Sequence, residues 1–207
     1  MSILHNTTCY LAGPVEHDLM ASSWRNELAI KLSAIGIKVY DPLIKPKWFP
    51  SSCRINPAVY REVLRDGPAI AKTICGEDNF TTINVRDVFT ANAYMRKVCL
   101  RIVSAVDWVI CYLPIKPTFG TCEEVYDAIY EGKPVLFCCP DGIPSTWILG
   151  AASTADDYSN VFFKDWDSLL KHVLKIDKGL IKLDPVKWIF LTWRREDLER
   201  MNGGNNV

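Results

Sequence analysis

Short apolar runs alternate with stretches of helical period along most of the chain. "TCYLAG", residues 8–13, reads as a short buried strand ending in a Gly13-Pro14 turn. Trp24, Leu28, Leu32 and Ile35 then recur at helical spacing, from a start near Ser22 or Ser23 to a stop at Gly36. "IKVYDP", 37–42, is a second strand broken by Pro42. Strand, helix, strand in that order is a βαβ unit, and it predicts parallel pairing.

Residues 43–86 break the pattern. Pro46, Pro50, Gly67 and Pro68 punctuate mixed apolar and charged residues, with one short helix expected near Ala58–Arg65. This reads as an insertion or lid-like excursion, since long irregular segments inside a compact domain are often functional. Helical spacing returns over 87–105. "DWVICYLP" (107–114) is a strand, "TFGTCEEVYDAIYEGKPV" (118–135) carries the next helix, and "KPVLFCCP" (133–140) is another strand. "SNVFFKD" (159–165) is a last strand, before a helix from Trp166 to Leu174. The reading is one α/β domain over 1–175 and a C-terminal extension over 176–207. The extension's aromatic part is expected to dock on the core or a neighbour, and its "GGNNV" end to be loose.

The repeated order predicts a doubly wound, mostly parallel, Rossmann-like or flavodoxin-like sheet of roughly five strands flanked by helices. Ligands in such sheets lie beyond the carboxyl ends of the strands, at the switch in strand order. The turns after Tyr10–Ala12 and after Trp108–Leu113 are therefore the places to look for chemistry.

Composition narrows this reading. The 207 residues are 49% hydrophobic, which suits a packed globule. Lys+Arg and Asp+Glu are both 24, so charge does not argue for nucleic acid or a membrane surface. Trp188, Trp193 and Arg194-Arg195 are a weak nucleic-acid signal, offset by Glu196 and Asp197. Of eight cysteines several lie in apolar runs, where a thiol acts as a small hydrophobe. There is no C-x-x-C pair, P-loop or G-x-G-x-x-G turn, so neither metal nor cofactor is expected. The N-terminus lacks a signal-peptide pattern, and no apolar run approaches the roughly 20 residues that span a bilayer. The expected setting is cytoplasmic, with no membrane partner.

Thr121-Cys122-Glu123-Glu124 fits a capping box, in which Thr121 accepts from the Glu124 amide and Glu124 reaches back. The same placement suits a nucleophile. A carboxylate in a helix's first turn is held ionised by the macrodipole, and Gly120 keeps the approach clear of side chains. Local sequence leaves both readings open.

"CYLAGPVEHD", "WRNEL", "VYDP" and "DWVICYLPIKPTFGTCEEVYDAIYEGKPV", in that order, resemble the nucleoside 2-deoxyribosyltransferases and related N-glycosidases. The resemblance covers most of 8–140. Its strongest element is Gly120, Thr121, Glu124, Ala128, Gly132, Lys133, Pro134 and Val135. It implies that Glu124 is the nucleophile toward the anomeric carbon, with Glu123 a non-catalytic neighbour, and that Tyr10 hydrogen-bonds the nucleophile. It further implies that Ala12, Gly13 and Pro14 face the sugar, with Gly120 and Thr121 beside it. Trp24 and Arg25 match a Trp-Arg pair: Trp24 reads as core, and Arg25 as a substrate contact or the partner of a buried acid. Asp41 is a candidate for base recognition or a turn-forming Asp-Pro.

Two positions depart from the family. Cys99 stands eight before Asp107, and Thr118 six before Glu124, where relatives carry aspartates. With both missing, Asp87 is the candidate general acid, and Glu16 and Asp18 are others. Glu16 and Asp18 also disfavour a phosphate, whereas Ser22, Ser23 and Arg25 would aid one. Three functions follow: deoxyribosyl transfer between bases, hydrolysis of a nucleoside or nucleotide to free base and sugar, or a binding module without catalysis. The partner is a nucleoside or nucleotide, and the resemblance implies a homo-oligomer.

Overall fold

The computed structural model describes residues 2–15, 21–44, 85–153 and 158–191. The helix near Ala58–Arg65, most of the 43–86 excursion, Glu16, Asp18 and the end of the tail lie outside the described residues.

Five strands alternate with helices: β1 Thr8–Ala12, α1 Ala21–Ser33, β2 Lys38–Tyr40, α2 Val85–Ala105 and β3 Trp108–Tyr112. They continue as α3 Phe119–Tyr130, β4 Val135–Cys138, α4 Thr146–Ala152, β5 Phe162–Phe163 and α5 Trp166–Asp177. The helix α4 has no counterpart in the sequence reading. It is only 7 residues long, capped by the Ser145 hydroxyl accepting from the Trp147 amide, and too short to show a period. All pairings are parallel, in the order β2-β1-β3-β4-β5. That is the doubly wound order with its switch between β1 and β3.

Central strands of a parallel sheet are buried on both faces and read as continuous apolar runs. In β1, β3 and β4 the alternation of period two sends neighbouring residues to opposite cores. Cys9, Leu11, Trp108, Ile110, Leu136 and Cys138 pack with Leu28 and Leu32 of α1 and Leu169, Val173 and Ile176 of α5. Tyr10, Ala12, Val109, Cys111, Val135 and Phe137 pack with Val103 of α2, Val125 and Ala128 of α3, and Ile148 of α4. Trp188 joins the first core, its ring 6.0 Å from that of Trp108.

Polar groups fix the ends. The Thr8 amide and hydroxyl both donate to Asp107 Oδ2, at 2.7 and 2.8 Å, which ties the start of β1 to that of β3. Lys133 Nζ donates to the carbonyls of Val103 and Val106, both at 2.8 Å, and also to that of Ser104. It thereby satisfies the orphan acceptors at the end of α2. Gly36 turns the chain after α1 at φ +84°, where a Cβ would strike the His5 ring. Among the described residues no helix is long and apolar enough to cross a membrane.

Candidate active site

α3 begins earlier than its sequence suggests. Thr118, extended at φ −85° and ψ 154°, is the N-cap, and its hydroxyl accepts from the Thr121 amide. The Thr121 hydroxyl is buried against it at 2.9 Å. The capping-box expectation is therefore corrected: Thr121 lies inside the helix, and Glu124 is its sixth residue. The macrodipole acts mainly within the first turn, so it explains little of a carboxylate one turn further on.

What holds Glu124 is Tyr10. The Tyr10 hydroxyl donates to Glu124 Oε1 at 2.7 Å. Burial pushes that hydroxyl well above the usual phenol range, and the Glu124 charge and then the Cys99 neighbour push it further. The phenol thus remains a donor at neutral pH. Because Tyr10 sits on β1 and Glu124 on the helix after β3, the pair straddles the switch point of the sheet.

Glu123 faces another way. Arg96 of α2 donates from Nε to its two carboxylate oxygens at 2.8 and 2.7 Å, and Arg96 Nη2 also donates to Oε1. Consecutive acids thus have separate partners, one on the exposed flank and one at the strand ends. Arg96 was not singled out by the sequence reading. Its spacing from Cys99 on one helix face was the available signal.

Arg25 is fully buried. It donates from Nη2 to the Gly13 carbonyl at 2.6 Å and from Nη1 to that of Pro14 at 3.4 Å. Its Nε lies 3.6 Å from Asp41 Oδ1, and its guanidinium 4.3 Å from the Trp24 ring. Asp41 Oδ1 also accepts from the Leu43 amide at 2.8 Å. Arg25 and Asp41 therefore clamp the turn after β1 to the end of β2, beside the switch point. Gly13 is required in that turn, since a Cβ would come 2.8 Å from Trp24 Cζ2 and 3.2 Å from Tyr112 Cβ. Ala12, Gly13 and Pro14 are all buried. At Gly120, exposed, a Cβ would meet nothing within 4 Å among the described residues, so packing does not demand this glycine.

Cys99, partly exposed, neighbours the Tyr10 hydroxyl, whereas Thr118 is occupied with capping. Asp87 lies twelve residues before Cys99 on α2. Its side chain lies outside the described residues. Cys138 and Cys139 are pushed up to about 12 by burial, and burial also raises Cys9 and Cys111, so these thiols stay protonated. Among the described residues no group of three or more His, Cys, Asp or Glu is placed to hold a metal ion.

No protein-family model matches the chain, and no curated protein sequence does. It is similar to a solved structure described as a 2-deoxyribosyltransferase from the psychrotolerant bacterium Bacillus psychrosaccharolyticus. The identity is 16% and the TM-score 0.48, over 79% of this chain and 90% of that one. A likeness of that size leaves the chemistry to be argued from the site's own residues.

Proposed function

We propose that this chain transfers a 2-deoxyribosyl group between nucleobases, through a covalent intermediate on Glu124. The hydrogen bond from Tyr10 to Glu124 at the sheet's switch point carries the reading. A carboxylate anchored at one oxygen has fewer orientations open to it, which favours attack at one position. Glu124 stabilises the positive charge that grows on the sugar as the C1′–N bond breaks, then forms the C1′–O bond. The departing base takes a proton from solvent in the same step, and the base or water that attacks in the second step returns one to solvent. A second base then attacks C1′, the C1′–O bond breaks, and the carboxylate returns to its bond with Tyr10. The phenol keeps its proton throughout and acts by orientation.

Attack by water in the second step gives hydrolysis, and the same assay separates the two. The protein is incubated with deoxyinosine, thymidine or deoxycytidine, with and without adenine, beside Glu124→Ala. Deoxyadenosine that depends on Glu124 is the expected product. Free base released at a rate indifferent to adenine makes the protein an N-glycosidase. Undiminished exchange by Glu124→Ala rejects the nucleophile.

A further inference from the structure

β4 and β5 begin beside a cavity of about 170 Å³. Ile129 at the end of α3, Val161 before β5, Ile176 of α5 and Trp188 give it an apolar wall, and neither Tyr10 nor Glu124 lines it. An engineered apolar cavity of roughly 150 Å³ takes up benzene, so a single six-membered ring is the size that fits.

His172 enters this cavity from α5. It is only 9% exposed, with its ring 4.9 Å from that of Phe163. Neither ring nitrogen has a hydrogen-bond partner among the described residues, and neither is closed over by protein. Buried polar groups are nearly always paired, so one left open on a cavity wall marks the place of an atom from outside the chain. Burial, then Lys175, holds the imidazole below the usual histidine value. At neutral pH it therefore offers one N–H donor and one bare nitrogen.

The lining is positive, with three lysines and one acid. Lys133 is spent on the carbonyls that end α2 and on Glu131 Oε2 at 3.1 Å. Asp184 turns back on its own chain, Oδ1 accepting from the Val186 amide at 2.8 Å. Lys187, half-buried, donates from Nζ to the Ala152 carbonyl at 3.1 Å, which holds its ammonium at the wall.

We propose that this cavity binds a small aromatic monocarboxylate, its ring on the apolar wall and its carboxylate oxygens accepting from Lys187 and His172. An apolar enclosure with a few polar groups is the ordinary form of a small-molecule site. A single delocalised charge suits such a wall better than a phosphate, whose removal from water costs more.

The probe is 4-fluorobenzoate, titrated against the full chain and followed by fluorine NMR, with unlabelled benzoate as competitor. A Kd of about 1 mM or tighter is expected for both. Benzyl alcohol and benzylamine, which keep the ring and lose or reverse the charge, should compete at least roughly tenfold more weakly. Lys187→Met should weaken binding roughly tenfold and Lys187→Arg less than about threefold. His172→Phe keeps a ring against Phe163 and removes both nitrogens, and a loss of roughly threefold or more is expected. Lys171→Met, exposed on α5 and outside the lining, is the control and should bind as wild type does. Melting curves establish which variants fold, and either Lys187→Met or His172→Phe decides the site alone.

No binding to the wild type at about 10 mM overturns the proposal, as does equal or tighter binding of benzylamine. Binding that neither variant weakens places the carboxylate elsewhere on the protein and overturns it too. None of these outcomes touches the transferase reading, which the Glu124→Ala exchange assay decides separately.

Discussion

The Tyr10 hydroxyl and the Glu124 carboxylate meet at 2.7 Å although 114 positions separate them in sequence. Parallel pairing of β1 with β3, Tyr10 opposite Val109, brings them together. Tyr10→Phe keeps the ring in the core and removes only the hydroxyl. We expect kcat to fall about tenfold or more with KM little changed, which steady-state kinetics would read. A rise in KM alone would mean that the hydroxyl serves binding rather than the reacting carboxylate.

The cap of α3 is a separate prediction. Thr118→Ala removes the hydroxyl that accepts from the Thr121 amide and should destabilise the protein by about 1 kcal/mol, with Thr118→Ser close to wild type. Urea unfolding monitored by tryptophan fluorescence checks it. If α3 were instead capped at Thr121, the alanine variant would be neutral.

Much of this was legible in the chain itself. Continuous apolar runs at 8–12 and 108–112 bounded by turns made strands, and their alternation with helical spacing gave the doubly wound sheet. Glu124 and Tyr10 stood out through a motif and a strand end. The cap did not, because Thr118 and Thr121 are both capping residue types, and only backbone dihedrals separate them. Arg25 reads in the sequence as a substrate contact or the partner of a buried acid, and Asp41 is such an acid; its bonds to Gly13 and Pro14 were not legible, because they depend on three segments meeting. Asp87 was suggested by residue type alone, and its side chain lies outside the described residues.

The Arg25 clamp should be costly to break. Removing one partner of a buried pair leaves the other charge without compensation, at about 3–5 kcal/mol. Arg25→Ala is therefore expected to lower the urea midpoint far more than Thr118→Ala, with Asp41→Asn between them. Equal, small losses would make the guanidinium a bystander.

Stability should also depend on His172. Burial holds its imidazole below the usual histidine value of 6.5, with Lys175 adding to the effect, and its ring packs 4.9 Å from that of Phe163. Folding therefore disfavours the protonated form. Above about pH 6.5 both states are neutral and the contribution is fully present. As pH falls toward the folded value, the unfolded chain takes up a proton that the folded protein resists, at up to about 1.4 kcal/mol per pH unit. Melting temperatures at pH 7.5 and 5.0 should differ more for wild type than for His172→Gln. Identical differences would exclude His172 as a source of acid sensitivity.

The nucleophile can be caught on the protein. A nucleoside with fluorine at C2′ destabilises positive charge on the sugar and slows release of the glycosyl group. Mass spectrometry after acid quench should find the sugar on the peptide containing Glu124 in wild type, and unmodified peptide in Glu124→Gln. A sugar on another residue, or turnover by Glu124→Gln at the wild-type rate, would contradict covalent catalysis by Glu124.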